Sequence, residues 1–199
     1  MRKLSPALDR WLARWPTADL PRGSAGAAVT IVLREGHKDV EALLIERTVR
    51  EDDPASGHVA LPGGREDDGD ATTLATALRE LREEVGLGPT DLLGTPGLVG
   101  VEVASLFGLK VAVFAAALGP SPTPVPASPA EVAHVFWLPE SALDRVETVE
   151  RDTRFGPRAV PAVVHQGHVL WGFTYRVLRQ FFERPDPPGP GGPPGPAAP

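Results

Sequence analysis

Residues 61–87 read LPGGREDDGDATTLATALRELREEVGL, and the rest of the chain is arranged around this stretch. Its second half repeats apolar residues at a period close to that of an α-helical turn. These residues are Leu74, Leu78, Leu81 and Val85. Gly86 stands where a left-handed C-terminal cap is expected. The N-terminal cap has three candidates, Asp70, Thr72 and Thr73. The stretch therefore predicts a glycine turn followed by an amphipathic helix.

The opposite face of the predicted helix carries three carboxylates, Glu80, Glu83 and Glu84. Two carboxylates about 6 Å apart repel each other by roughly 3 kcal/mol at an effective dielectric constant of about 20, and Arg79 neutralises only part of that charge. A hard divalent cation turns the repulsion into binding, because Mg²⁺ prefers a few carboxylates and keeps other sites for water and phosphate. The pattern favours a Mg²⁺ or Mn²⁺ site, with a solvated charged face as the alternative.

Residues 79–87, RELREEVGL, resemble the helical half of the Nudix box, and all nine positions match its pattern. The front half differs from the usual box, which has a glutamate at the position of Asp70 and one residue fewer before the arginine. This longer front half is similar to the coenzyme-A-pyrophosphatase-like branch of the family. The resemblance implies an α/β/α sandwich around a mixed β-sheet, formed by residues 25–184.

The resemblance also implies the reaction. Glu80, Glu83 and Glu84 are expected to bind Mg²⁺ or Mn²⁺, and Arg79 is expected to orient these carboxylates. The implied enzyme is a Nudix-type pyrophosphatase that hydrolyses the diphosphate bond of a nucleoside diphosphate linked to another moiety.

Three carboxylates are candidates for the base that accepts a proton from the attacking water, namely Glu83, Glu84 and Glu131. Glu131 lies six residues before Trp137. Several Nudix hydrolases carry a further metal ligand or the base at about this offset, whereas the alternative is an exposed glutamate at the start of a strand.

Coenzyme A or acyl-coenzyme A is the favoured substrate, cleaved to 3′,5′-ADP and a 4′-phosphopantetheine product. The lead-in GHVALPGG and the later segment WGFTYRVL resemble the coenzyme-A-like branch. The substrate is expected to contact Arg47, Arg50, Gly63 and Gly64, although both arginines also suit ordinary surface charge. The alternatives are ADP-ribose, dinucleoside polyphosphates or oxidised nucleotides as substrates, and a nucleotide-binding regulator without turnover.

The remaining pattern predicts strands and helices around the box. Strands are expected at residues 25–33, 40–45, 92–103, 109–118 and 132–138. A hairpin is expected at residues 159–172, turning at Gln166 and Gly167, followed by a helix at 173–183. Residues 46–60 are predicted to form a polar loop, and the polar stretch 146–158 has no predicted element.

The two ends of the chain differ from its middle. Residues 1–24 predict a helical segment that packs on the body, with Trp11 and Trp15 as either packing residues or a partner surface. In residues 185–199, twelve of fifteen residues are proline or glycine, which predicts a disordered tail.

Composition excludes several classes of function. The chain of 199 residues has no cysteine, which excludes thiolate catalysis and cysteine zinc sites. A net charge of −6 argues against nucleic-acid polymers and anionic membranes as partners, but not against a small nucleotide bound through a cation. No apolar run is long enough for a membrane span and no secretory signal is recognised, so a cytoplasmic location is expected. A homodimer is left open.

Overall fold

The computed structural model describes residues 6–50, 56–104, 108–120, 122–153 and 156–184. The described helices are α1 (Pro6–Leu12), α2 (Thr73–Val85) and α3 (Gly172–Phe181), with short 3-10 helices at Pro89–Asp91 and Glu140–Asp144. The described strands are β1 (Ala27–Glu35), β2 (Val40–Arg47), β3 (Val59–Ala60), β4 (Gly63–Arg65), β5 (Gly97–Ala104), β6 (Leu109–Ala117), β7 (Val132–Pro139), β8 (Val146–Thr153), β9 (Gly156–His165) and β10 (His168–Trp171). The predicted tail at residues 185–199 lies outside the described residues.

A seven-stranded mixed sheet forms the centre of the fold. β1 pairs in parallel with β6, and β5 follows β6 in antiparallel orientation. On its other side β1 pairs antiparallel with β2, and β2 carries β7. The parallel pair buries nearly continuous apolar runs, as strands covered on both faces require.

The glycine turn lies within this sheet, because β1 and β2 pair only over the last residues of β1. Where the two strands separate, β3 pairs with β2 and β4 pairs with β1. The Thr30 N–H donates to the Pro62 carbonyl at 2.9 Å and so holds the turn between the strands. The lead-in of the predicted helix is therefore part of the sheet.

Helices cover both faces of the mixed sheet. α2 packs on one face, where Leu81, Val85 and Leu87 meet Val32, Leu43 and Ile45 of the sheet. α1, α3 and a second sheet, ordered β10-β9-β8, pack on the other face. This arrangement confirms the predicted α/β/α sandwich around a mixed sheet.

The polar stretches contain strands that the sequence pattern does not predict. β8 lies within the stretch 146–158 and pairs along its whole length with β9. Its sequence, VETVERDT, is rich in polar and charged residues and therefore resembles a loop in composition. Its acidic residues are exposed to solvent. The predicted hairpin is confirmed, and Gln166 and Gly167 both have positive φ, as a tight two-residue turn requires.

The N-terminal helix α1 packs against the end of α3. Trp11 is 3% exposed and lies edge-on to Phe182, with ring centroids 5.0 Å apart. Its indole N–H donates to Glu140 at 3.1 Å, which satisfies the polar atom of the buried ring. Trp15 stacks near Phe181 at 6.1 Å. The first of the two predicted roles, packing, describes both tryptophans.

We expect Trp11→Ala to lower the free energy of unfolding by about 3 kcal/mol, because a large buried aromatic side chain leaves a cavity. Urea unfolding measures this loss. Val125→Ala is the matched control, since Val125 is 52% exposed and its truncation should change stability by less than about 0.5 kcal/mol. A loss below about 1 kcal/mol for Trp11→Ala would contradict the packing of α1.

Candidate active site

Both predicted caps of α2 are observed. The Thr72 hydroxyl accepts a hydrogen bond from the Ala75 N–H at 3.2 Å, so Thr72 is the N-terminal cap among the three candidates. Gly86 has φ 73° and its N–H donates to the Arg82 carbonyl, which makes it the left-handed C-terminal cap.

The buried stripe of α2 differs from the predicted one. Leu81 and Val85 are buried, but Leu74 and Leu78 are only partly buried. The other buried positions are Thr73, Thr76, Ala77 and Glu84. The helix is thus rotated so that one of the three carboxylates, Glu84, faces the sheet instead of the solvent.

Glu84 reaches the glycine turn. It is 2% exposed, and its Oε2 accepts a hydrogen bond from the Gly63 N–H at 2.8 Å. Gly63 has φ 151°, and a Cβ at this position would lie 2.2 Å from the Ala28 carbonyl oxygen. Only glycine brings its N–H to the carboxylate without colliding with β1.

Gly64 meets the second carboxylate. A Cβ built on Gly64 would lie 2.3 Å from Oε1 of Glu80, so the backbone approaches this carboxylate directly. The Glu80 side chain is 15% exposed, whereas that of Glu83 is 55% exposed. The three carboxylates therefore form a series from the interior (Glu84) to the surface (Glu83).

Arg79 connects the turn to the two outer carboxylates. Its Nη1 donates to Glu80 and to Glu83, each at 2.9 Å. Its Nε and Nη2 donate to the two oxygens of Asp70 at 3.0 Å, and Nη2 also donates to the Arg65 carbonyl at 2.9 Å. These contacts use all five N–H groups of the guanidinium, which fixes its plane.

Asp70 is the buried partner of this arginine. Its side chain is 5% exposed and also accepts hydrogen bonds from the Thr76 hydroxyl and the Asp67 N–H, both at 2.9 Å. The bidentate hydrogen bonds from Arg79 hold the pKa of Asp70 well below its usual range, against the opposing effect of burial.

Burial acts in the opposite direction on the inner carboxylates. Burial raises the pKa of Glu84 to about 8, although the Gly63 hydrogen bond and the charge of Arg47 lower it. Glu80 and Glu131 repel the charged form of Glu84 and raise the pKa further. Burial also raises the pKa of Glu80, against the effect of Arg79. The site thus holds a cluster of carboxyl groups in which burial disfavours the charged form, and Arg79 and Arg47 offset only part of this effect.

The C-terminal end of α2 is bound by the proline-rich loop before β7. The Ala127 N–H donates to the Glu84 carbonyl at 3.0 Å, and the Val125 N–H donates to the Val85 carbonyl at 3.2 Å. These bonds satisfy carbonyls that a helix end leaves open. Further along the same loop, the Glu131 carbonyl accepts the Thr48 N–H at 2.9 Å.

The structure brings most of the predicted residues together. Glu131 is exposed and lies near enough to Glu80 and Glu84 for its charge to raise the pKa of both. Arg47 ends β2 and lowers the pKa of Glu84. Arg50 lies three residues further, exposed in the following loop, where its N–H donates to the Ser56 hydroxyl at 2.5 Å.

The carboxylates are not gathered around one point. Across the described ranges, no group of three Asp, Glu or His side chains has the geometry to hold a metal ion. The physical reason is that Glu80 and Glu83 turn to Arg79 while Glu84 turns to Gly63. The donor set nevertheless fits Mg²⁺ or Mn²⁺, because its members are carboxylate oxygens on one helix and the innermost is buried.

A second polar pair joins the two sheets. His168 Nδ1 and Glu46 Oε2 lie 2.6 Å apart, and the His168 ring stacks on Phe136 with centroids 4.0 Å apart. The sequence pattern places Glu46 at the start of a predicted loop, so it gives no signal for this pair, which forms only when β10 packs beside β2.

We expect Asp70→Asn to lower the free energy of unfolding by about 3 kcal/mol at pH 7, because it leaves the largely enclosed Arg79 without its carboxylate. The pKa of Asp70 is lowered by folding, so its contribution is present above about pH 4 and is lost as the pH falls through the lowered pKa. Urea unfolding at pH 7 and pH 3 should therefore show a smaller difference between variant and wild type at pH 3.

The matched control is Asp68→Asn, which removes a carboxylate that is 96% exposed beside Arg22 and should change stability by less than about 0.5 kcal/mol. An equal loss in both variants, or a loss that does not depend on pH, would contradict the role of the Asp70–Arg79 pair.

None of the helices in the described part of the chain has the length and apolar character needed to span a bilayer.

Two relatives with similar sequences belong to one family. The chain is 32% identical over 187 residues to an uncharacterized Nudix hydrolase NudL of Cronobacter sakazakii, covering 87% of this chain and 92% of that protein. It is 33% identical over 130 residues to the protein of the same name from Escherichia coli, covering 63% of this chain and 65% of that protein.

Two solved structures share the fold. A MutT/nudix family protein from Enterococcus faecalis has a TM-score of 0.53 and 16% identity, covering 85% of this chain and 63% of that one. The NUDIX domain of Shewanella oneidensis NrtR, complexed with ADP ribose, has a TM-score of 0.51 and 17% identity, covering 91% of this chain and 99% of that one.

The family model of the NUDIX domain matches residues 24–159, which include the glycine turn, α2 and Glu131. This match agrees with the helix that carries three carboxylates and with the sandwich around a mixed sheet. The chain therefore belongs to the Nudix family.

Proposed function

We propose that this protein hydrolyses the diphosphate bond of coenzyme A or an acyl-coenzyme A, giving 3′,5′-ADP and a 4′-phosphopantetheine product. Its family and its relatives named Nudix hydrolase make it a Nudix-type pyrophosphatase acting on nucleoside diphosphate derivatives. The coenzyme A assignment rests on the longer front half of the box, the GHVALPGG lead-in and the WGFTYRVL segment.

The observation that carries the catalytic proposal is the buried carboxylate of Glu84. A protein gains nothing in stability from a carboxylate that is enclosed, repelled by neighbouring carboxylates and bound to a single backbone N–H. A cation at this point offsets the burial and the repulsion together. Glu80, Glu83 and Glu84 would hold Mg²⁺ or Mn²⁺, which supplies charge neutralisation at the diphosphate and lowers the pKa of water.

The residues of the chain have separate roles in this proposal. Arg79 holds Glu80 and Glu83 beside each other, and the fixed plane of its guanidinium limits their rotation. Gly63 and Gly64 bring backbone to the carboxylates without a side chain in the path of the substrate. Both roles are positioning roles.

Glu131 is the proposed general base. It is exposed to solvent, its charge acts on Glu80 and Glu84, and its backbone is fixed by hydrogen bonds to Thr48 and Ser128. Glu83 and Glu84 suit this role less well, because the first is paired with Arg79 and the second is enclosed. A base must reach the attacking water, and Glu131 combines access with a fixed backbone.

We expect Glu84→Gln to lower turnover by more than about 100-fold at saturating Mg²⁺, because it removes a charged ligand while keeping the acceptor for the Gly63 N–H. Its stability without metal should equal or exceed that of the wild type at pH 8. The pKa of Glu84 is raised from 4.5 to about 8, so wild-type stability falls as the pH rises between these values. The glutamine side chain does not ionise, so the variant lacks this loss of stability.

Steady-state kinetics and urea unfolding at pH 5 and pH 8 measure both effects, with Glu147→Gln on the exposed face of β8 as control. Wild-type turnover in Glu84→Gln would show that α2 is not the catalytic helix.

The two arginines of the β2 end suit different parts of coenzyme A. Arg47 acts on Glu84 electrostatically, so it is proposed to contact the diphosphate beside the carboxylates. Arg50 is exposed three residues away and is proposed to contact the 3′-phosphate at the edge of the site.

We expect Arg50→Ala to raise KM about tenfold for coenzyme A and to leave KM for its 3′-dephospho form unchanged, the equivalent of about 1.4 kcal/mol. Arg47→Ala should raise KM for both compounds. Lys38→Ala is the control, because it removes an exposed charge at the opposite end of β2. Equal effects of Arg50→Ala on both compounds would remove its 3′-phosphate role.

A substrate panel with mass-detected products separates the remaining alternatives. Faster turnover of ADP-ribose, a dinucleoside polyphosphate or an oxidised nucleotide than of coenzyme A would reassign the substrate and keep the enzyme. Tight nucleotide binding without any product would indicate a regulator.

A further inference from the structure

The acidic residues of α2 lie at the end of the helix where the helix dipole is unfavourable to them. A helix has partial positive charge at its N-terminus and partial negative charge at its C-terminus, so acidic residues stabilise it at the start. The first turn of α2 has no acidic residue, and its last two turns contain Glu80, Glu83 and Glu84, opposed in the last turn by Arg82. Because the first N–H groups of a helix lack partners within the helix, a hydrogen-bond acceptor from another part of the chain stabilises this end, and a negative charge on that acceptor adds to the effect.

Asp19 provides such an acceptor, 55 residues before Leu74 in the sequence. Its Oδ1 accepts the Leu74 N–H at 3.0 Å and lies 3.4 Å from the Thr73 hydroxyl. The next residue adds a second bond, because the Leu20 carbonyl accepts the Thr73 N–H at 3.0 Å. Two of the N–H groups that the first turn leaves open are thus satisfied by the N-terminal segment.

The same segment follows the loop that leads into α2. Pro21 forms a β-bridge with Thr72, and Arg22 pairs with Asp68. Two hydrogen bonds continue this line, from the Gly23 N–H to the Glu66 carboxylate at 2.8 Å and from the Glu66 N–H to the Gly26 carbonyl at 3.2 Å. Residues 19–26 therefore line the loop that contains Asp70.

The path from Asp19 to the carboxylates is short. Asp19 fixes the first turn of α2, the adjacent contacts fix the loop, and the loop presents Asp70 to Arg79. Arg79 in turn holds Glu80 and Glu83. A displaced first turn would change the geometry of the Asp70–Arg79 pair and, through it, the directions of these two side chains.

We propose that Asp19 is a positioning residue for the catalytic helix, which sets the placement of α2 and so the spacing of its carboxylates. Asp19 lies outside the residues 24–159 that the family model matches, so the N-terminal segment completes a helix that belongs to the family domain. The consequence for metal affinity rests on the proposed function, whereas the consequence for the order of α2 does not.

The test compares Asp19→Ala and Asp19→Asn with two control variants of α1. Leu8→Ala removes a buried apolar side chain of α1, and Asp9→Ala removes an exposed carboxylate. Hydrogen exchange of the amides at residues 73–75, measured without metal, reports the order of the first turn. Calorimetric titration with Mn²⁺ reports the affinity of the carboxylates, and kinetics gives the Mg²⁺ concentration at half-maximal rate.

Asp19→Ala should reduce exchange protection at residues 73–75 roughly fivefold, the loss typical of a helix cap. It should weaken Mn²⁺ binding and raise the half-saturating Mg²⁺ concentration, each by roughly threefold to tenfold, with kcat at saturating Mg²⁺ within about twofold. Asp19→Asn should restore most of both losses, because an amide oxygen still accepts the Leu74 N–H. Leu8→Ala should lower Tm without changing Mn²⁺ affinity, and Asp9→Ala should change neither.

Unchanged protection in Asp19→Ala would overturn the capping contact. Reduced protection with wild-type Mn²⁺ affinity would overturn the positioning role, as would an equal loss of affinity in Leu8→Ala. If the wild-type protein binds no Mn²⁺, the proposed function fails, and the exchange protection alone then decides whether Asp19 positions α2.

Discussion

The hydrogen bond from the Gly63 N–H to the enclosed carboxylate of Glu84 is the contact on which the arrangement depends. It joins α2 to a turn that is itself inserted between β1 and β2. The turn must approach β1 so closely that a Cβ at residue 63 would overlap the Ala28 carbonyl oxygen. The hydrogen bond therefore depends on three features together. These are the glycine at position 63, the separation of β1 from β2, and the orientation of α2 that turns Glu84 to the sheet.

The carboxylates of α2 lie at the end of the helix where the helix dipole disfavours negative charge. The last two turns of α2 hold three carboxylates near the negative end of the helix dipole. Segments from elsewhere in the chain offset this arrangement. Asp19 accepts a hydrogen bond from the first turn of α2, and the N–H groups of Val125 and Ala127 donate to carbonyls of its last turn. Arg79 pairs with the two outer carboxylates, and a divalent cation beside Glu84 would offset the burial that raises the pKa of this group.

Two adjacent residues at the end of β2, Glu46 and Arg47, have different roles. The charge of Arg47 lowers the pKa of Glu84 on α2. Its neighbour Glu46 pairs with His168 and links the mixed sheet to the small sheet. The pairing of β2 with β7 shifts register between these two residues, and their adjacent side chains act on different parts of the structure, the site and the contact between the two sheets.

The sequence by itself determined the parts of this protein that depend on local spacing. The helix α2 with Gly86 as its C-terminal cap and the hairpin turn at Gln166 and Gly167 follow from periodicity and from backbone preferences. These are properties of residues a few positions apart, which a pattern records directly. The family resemblance likewise rests on nine consecutive residues of the box.

Only the tertiary structure decided which carboxylate is enclosed and which residue anchors the helix. Spacing places Glu80, Glu83 and Glu84 on one face and treats them alike, whereas packing against the sheet buries Glu84 and leaves Glu83 exposed. Asp19 shows no pattern that relates it to Leu74, because the two residues meet only after the N-terminal segment folds along the loop. Burial and long-range hydrogen bonds depend on distances in space, and a linear pattern contains no information about them.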